Sequence, residues 1–307
     1  MTESSLEVGR APSSPWRLSA REWFSVLKRT FKAFLADDAM GLSSQVAFSS
    51  LLAFFPAMIF LVGLADLFGV YGTLQEFLTP IAPGEVLDTI ETLQKDTSTG
   101  TSVVAFVVGA SLAIWAASGA MGAVIKSVNR AYDRVETRAF WQTRIVAIVL
   151  VCLTGLVLAG LLLLVVFGGP LGTAIADKAG LGGAFELVWG IVRWPIAFLA
   201  VLLFFSFVYY LAPNVDHRDW EWLTPGALFG SIAWLVLSGL FSLYTSFSDS
   251  YSKTYGALAS GIVLLLWLNY SAFALLFGAE LNSELERQAE LDAAGGENAG
   301  LIKPSRR

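Results

Sequence analysis

The 307-residue chain is 55% hydrophobic and only 15% charged, with mean hydropathy +0.64, whereas an average soluble protein carries roughly 25% charge. A soluble domain of this length has too little interior for so much apolar side chain, so the composition excludes an ordinary soluble enzyme and points to an all-α polytopic membrane protein. One cysteine, Cys152, and one histidine, His217, exclude a disulfide framework and any thiolate or multi-histidine metal site.

Residues 1–18 are polar, with no apolar core of a signal peptide, and are expected to be disordered. Residues 19–287 read as a single membrane domain. It opens with "SAREWFSVLKRTFKAFL" (19–35), where Ser19 and Glu22 have capping-box spacing. Trp23, Leu27, Phe31 and Phe34 form one stripe, and Arg21, Lys28, Arg29 and Lys32 lie largely off it. The pattern predicts an interfacial amphipathic helix on an anionic leaflet.

Six apolar segments follow, each long enough for the roughly 20 helical residues that a hydrocarbon core demands: about 42–68, 102–125, 144–168, 185–211, 225–247 and 255–281. Their leucine-rich runs suit helices, which satisfy their own backbone in lipid, and not the alternation of a barrel. Between the first two, residues 69–101 carry two short amphipathic patterns around "APGE" (82–85), predicting a small external helical loop. The tail, 288–307, is expected to be disordered.

Charge orients the bundle. Sixteen of the twenty Lys and Arg residues fall before span 1, between spans 2 and 3, between spans 4 and 5, or after span 6. The other side holds only Lys95, Lys178 and Lys253, and Arg193 lies within span 4. The positive-inside rule then puts both termini in the cytoplasm.

Several stretches resemble the YihY/BrkB family of bacterial inner-membrane proteins. They are "SSQVAFSSLLAFFP" (43–56), "SVNRAYDRVETRAFWQTR" (127–144) and above all 209–287, with its "YGAL", "LLLWL" and "GAELN" blocks. The resemblance covers residues 20–287. It implies a helical membrane protein with a six-span core and cytoplasmic termini, described in this family as transporter-like or as an envelope or virulence factor. A ribonuclease label has also followed the family. The residues argue against it: "DHRD" (216–219) is no cluster of metal ligands, and one loop histidine is a poor basis for general acid–base chemistry. No enzymatic activity, catalytic residue or nucleic-acid partner is therefore expected. With no G-x-x-x-x-G-K-[ST] and no G-x-G-x-x-G, no cofactor is either.

The intramembrane polar residues are the candidate site. In span 1, Gln45, Ser49, Leu52 and Pro56 share a face at i, i+4, i+7 and i+11, and Pro56 frees a backbone carbonyl near Leu52. Helix packing through hydroxyls and the lining of a wet cavity both fit this face. In span 6, Asn269 lies near the bilayer centre and shares a face with Phe273, Leu276 and Glu280. A buried amide without partners costs a few kcal/mol, so Asn269 must bond another helix or meet water or substrate. Glu280, near the inner boundary, has Arg130 or Arg134 as partners, or ends the span in water. Gln45, Ser49, Pro56, Asn269 and Glu280 thus outline a candidate polar path. Lys126, Arg130 and Arg134, spaced as one helical face, outline a basic cytoplasmic mouth. That mouth suits topology and anionic-lipid contact, or recruitment of an anionic substrate. The partners implied are the bilayer, its anionic lipids and a small polar or lipid-linked substrate. The reading is a transporter-like permease, with a non-transporting envelope or scaffold protein as the alternative.

Overall fold

The computed structural model describes residues 18–67, 102–165, 173, 178, 182–215, 224–246 and 257–293. Seven helices make up the described chain: α1 Ala20–Ala36, α2 Ala39–Leu67, α3 Ser102–Ala131, α4 Phe140–Val165, α5 Gly182–Leu211, α6 Pro225–Ser246 and α7 Ala257–Ala293. No strand occurs among these residues. The expected external helices in 69–101 and the "DHRD" turn lie outside them. The tail begins later than its composition implies, because α7 continues as helix to Ala293.

Helix α1 begins as its sequence dictates. The Ser19 hydroxyl accepts from the Glu22 amide at 3.4 Å, and the Glu22 carboxylate accepts from the Ser19 amide at 2.6 Å. It ends at Asp38, whose φ of 53° turns the chain. The Asp38 carboxylate then accepts from the Gly41 amide at 3.3 Å. One residue therefore stops α1 and caps α2, and Asp tolerates the left-handed geometry because its short carboxylate bonds locally.

The apolar stripe of α1 differs from expectation. Val26, Thr30 and Phe34 are buried, Trp23 and Leu27 pack beside Val26 on Leu281 and Leu285 of α7, and Phe31 stays exposed beside Phe24 and Leu35. Arg29, read as part of the basic flank, is instead held by α7: its Nε donates to Glu284 at 2.8 Å and its Nη2 to Gln288 at 2.8 Å. The sequence pattern located an apolar stripe but not the helix that covers it.

Among the described residues five helices are long and apolar enough to cross a membrane: Gly109–Ala131, Phe140–Leu161, Leu187–Leu211, Pro225–Tyr244 and Gly261–Ala289. In α2 the shorter stretch Ala39–Phe54 is apolar, within a helix of 29 residues that runs on through Pro56. The main packing runs α2 on α3, α6 on α7, α2 on α7, α3 on α4, α4 on α5 and α1 on α7. Fully buried side chains gather at one end of the bundle, around Val128, Leu150, Val208, Tyr209 and Leu276. Toward the other end Leu156, Leu187, Ile191, Leu240 and Leu243 point outward, as side chains that face lipid do.

Close approach at the packed end depends on two glycines. A β-carbon at Gly226 of α6 would collide with the Gly278 carbonyl oxygen of α7, and one at Gly278 with the Gly226 carbonyl oxygen. Asn282 fastens the crossing: its carbonyl accepts from the Gly226 amide at 2.8 Å and its amide donates to Thr224 Oγ1 at 3.0 Å. Tyr209 of α5 reaches the same place and donates to the Leu275 carbonyl at 2.7 Å. The "TPGAL" and "GAELN" blocks are thus the two halves of one helix crossing.

Candidate functional site

Two hollows among the described residues bear on the site. The first is a cavity of about 250 Å³ to which α2, α3, α4, α5, α6 and α7 all contribute, including Val46, Val124, Leu161, Val201, Trp234 and Trp267. Its wall is mostly apolar, with Ser50, Thr154 and Ser271 as its hydroxyls. Two of these are engaged: Thr154 donates to the Leu150 carbonyl at 2.7 Å, and Ser271 accepts from Trp234 Nε1 at 3.0 Å. Trp267 Nε1 donates to Ser238 at 3.2 Å, and the two indoles meet edge to face at 6.2 Å. Paired indole N–H groups present their apolar faces to the hollow.

The second hollow is a groove of about 560 Å³ where the α1–α2 junction, the end of α3 and the start of α4 meet. Lys126, Arg130 and Arg134 all line it, together with Asp37, Asp38 and Glu136. The basic residues do not form one continuous helical face. Helix α3 stops at Ala131; Asp133 takes φ 51°, its amide donates to the Arg130 carbonyl at 3.0 Å, and the Arg134 amide donates to the Asn129 carbonyl at 2.8 Å. This is a Schellman-type stop, and it turns Arg134 back over the same groove. The Arg130 guanidinium pairs with Asp37 at 2.9 Å. Lys126 Nζ donates to Gln45 Oε1 at 3.3 Å.

Behind the groove a polar lock joins three elements. Asn129 donates to Glu136 at 2.8 Å and accepts from the Asn214 amide at 2.7 Å. Asn214 donates to the Val135 carbonyl and to Thr137. Arg138 bonds Glu136 at 2.6 Å and donates to the Ala212 carbonyl at 2.7 Å and the Leu211 carbonyl at 3.3 Å, closing the C-terminus of α5. The Arg138 guanidinium holds the Glu136 carboxyl below the usual carboxylate range. The pattern "SVNRAYDRVETR" is therefore largely structural. Sequence reading missed this lock; its signal was the run of Asn, Asp, Glu and Arg directly after an apolar span.

The candidate path residues fall as follows. Asn269 donates to Ser44 Oγ at 3.1 Å, and Ser44 Oγ donates to the Met40 carbonyl at 3.0 Å. Gln45 is exposed, and Ser49 and Pro56 are half-buried. The polar face of α2 is its outer one: Ser44, Gln45, Phe48 and Leu52 are exposed, and Ser43, Val46, Ala47 and Ala53 face inward. Glu280 is only 2% exposed. It lies in the field of Asp37, Asp133, Glu284 and Arg130 and makes no hydrogen bond or ion pair with another described residue. Neither expected arginine takes it up, because Arg130 is engaged with Asp37.

Among the described residues no group of three or more His, Cys, Asp or Glu side chains is placed to hold a metal ion.

Long apolar helices and outward-facing aliphatic side chains define a polytopic helical membrane protein. A family model described as Virulence factor BrkB matches residues 30–300, and the chain belongs to that family. Among its relatives, the ribonuclease-like protein YfkH of Bacillus subtilis is 32% identical over 272 residues, spanning 87% of this chain and 97% of the relative. A UPF0761 membrane protein of Chromohalobacter salexigens is 26% identical over 293 residues, 89% of this chain and 68% of the relative. Another, from Aggregatibacter aphrophilus, is 23% identical over 286 residues, 86% of this chain and 93% of the relative. No solved structure matches the chain.

Proposed function

We propose that this protein is a transporter-like permease of the bacterial inner membrane, with six spans and both termini in the cytoplasm, and that its cargo is a lipid-linked amphiphile rather than a small polar solute. The observation that carries this reading is the hollow of about 250 Å³ to which every long helix contributes. The hollow is open on one side, so an occupant can enter it from the surroundings. An apolar wall with few hydroxyls suits an acyl or prenyl chain, because a polar solute there would leave its hydrogen bonds unmade.

The six-span count takes α2 as the first span, and the excess of Lys and Arg on one side supplies the orientation. Helix α1 lies along the cytoplasmic leaflet, with Phe24, Phe31 and Leu35 toward the acyl boundary and Lys28 and Lys32 toward anionic headgroups. The groove of Lys126, Arg130 and Arg134 is the inner entrance. Gln45, Ser49, Pro56 and Asn269 form a polar edge along α2, and Glu280 stands at its inner end. The sequence has no G-x-x-x-x-G-K-[ST] loop, which leaves an ion gradient, the cargo's own gradient or no energy source.

Untargeted lipid and metabolite profiling of deletion and overexpression strains tests the reading. The expected result is a lipid-linked species that accumulates in the deletion strain and falls on overexpression. Profiles unchanged in both strains contradict transport and favour a scaffold.

A further inference from the structure

The groove at the α2–α3–α4 junction is lined by three cations, Lys126, Arg130 and Arg134, and three carboxylates, Asp37, Asp38 and Glu136, and the pairing among them is uneven. Asp37 is occupied by Arg130 at 2.9 Å, Glu136 by Arg138 at 2.6 Å, and Asp38 caps α2 through the Gly41 amide at 3.3 Å. Lys126 and Arg134 are the two lining cations with no carboxylate partner among the described residues. Lys126 has only the neutral amide of Gln45, at 3.3 Å. The Arg134 side chain makes no hydrogen bond or ion pair with another described residue. Both cations line the hollow of about 560 Å³, and Thr143 lies in the same wall.

The groove also has an apolar continuation. Gly122 of α3 lines it, and Gly119 and Trp115 follow at one-turn steps on the outward face of that helix. A β-carbon at Gly119 or Gly122 would meet nothing within 4 Å, so this face of α3 is uncovered by any described residue. Trp115 is 52% exposed, and its ring is steadied by the Arg144 guanidinium, 3.8 Å from the centroid. Lys126 and Arg134 at one end and the uncovered helix face of Gly122 and Gly119 beside them offer a headgroup and a chain separate places to rest.

We propose that this groove binds an anionic phospholipid, whose headgroup phosphate is held by Lys126 and Arg134 and whose chain lies along Gly122, Gly119 and Trp115. Guanidinium and ammonium donors form charge-assisted bonds to phosphate oxygens, and basic pockets between helices at the cytoplasmic side capture anionic headgroups. Arg130 serves differently: its bond to Asp37 fixes the wall. Headgroup capture names the lipid class for the inner entrance of the permease and rests on that reading for its purpose. Occupancy is measured by binding and translocation by flux, so the two fail separately.

The test is native mass spectrometry of the full-length protein in detergent, titrated with phosphatidylglycerol, phosphatidylcholine or inorganic phosphate. The wild type is expected to retain phosphatidylglycerol in preference to phosphatidylcholine. The double variant Lys126→Gln/Arg134→Gln, exposed at both positions, is expected to fold and to bind it about tenfold more weakly. Lys178→Gln, remote from the groove in sequence, is expected to bind as wild type does. Gly119→Leu places a side chain on the uncovered face of α3 and is expected to weaken phosphatidylglycerol without changing inorganic phosphate. Equal retention of the two lipids, or an unchanged double variant with wild-type melting, overturns the proposal. So does full displacement of the lipid by inorganic phosphate, which would make this a site for the free anion.

Discussion

Gly226 of α6 and Gly278 of α7 face each other backbone to backbone, each occupying the space that a β-carbon on the other would need. Gly226→Ala and Gly278→Ala therefore force the crossing apart and break the Asn282 clamp. Overpacking of this kind costs about 1–3 kcal/mol or more, read as a lowered melting temperature and loss of monodispersity in detergent. Gly239→Ala in α6, where an added β-carbon meets nothing within 4 Å, is expected to leave stability unchanged or raise it by up to about 1 kcal/mol.

Asn269 and Ser44 bridge α7 and α2. A double-mutant cycle with Asn269→Leu and Ser44→Ala is expected to give a coupling of about 0.6 kcal/mol, the average for hydrogen bonds between membrane helices. Asn269→Leu is expected to remain folded and to lose more translocation than folded protein, because it also lies on the proposed polar edge. Activity that falls only in step with the folded fraction reduces Asn269 to an interhelical contact.

The Glu136–Arg138 pair gives the inner loop a defined pH dependence. The folded pKa of Glu136 is held below its ordinary value of 4.5. Its contribution is therefore fully present above that value and is lost as pH falls through the lower, folded one. In thermal melts from neutral pH down to about pH 3, Glu136→Gln is expected to flatten this part of the profile. Arg138→Gln also frees the Leu211 and Ala212 carbonyls and is expected to cost about 2 kcal/mol at neutral pH. An acid-side slope unchanged in Glu136→Gln contradicts the assignment.

Topology is tested by cysteine accessibility in a Cys152→Ala background. Thr97→Cys and Ser250→Cys are expected to label from outside, and Val135→Cys, in the exposed turn after α3, only from inside. External labelling at Val135 inverts the orientation.

Particular residues show how much was legible beforehand. The helices were readable because apolar runs in a bilayer leave the backbone no alternative, and Ser19 with Glu22 marked the start of α1 correctly. Spacing also assembled Lys126, Arg130 and Arg134, though it missed that Asp133 ends the helix and turns Arg134 back by a backbone device. What it could not reveal was partners distant in the chain. Arg29 meets Glu284 across 255 positions, and Asn269 meets Ser44 across 225. Helical phase within one span says which residues share a face, but not whether that face looks inward. That is why spacing left helix packing and cavity lining both open for the Gln45 face of α2, whose Ser44, Gln45, Phe48 and Leu52 are exposed. Gly226 and Gly278 were similarly opaque, since a glycine needed for contact and one on an uncovered helix face, such as Gly119, are the same letter.

The most direct measurement of the central claim is lipid translocation by the purified protein in proteoliposomes, using fluorescent phosphatidylglycerol bleached from outside with dithionite. The account predicts that wild-type vesicles bleach beyond the outer-leaflet fraction. It also predicts that Val201→Phe, which fills the six-helix cavity, bleaches only that fraction while still folding. Wild-type vesicles that bleach no further than protein-free ones, or Val201→Phe vesicles that bleach at the wild-type rate, contradict the claim that the cavity is the route.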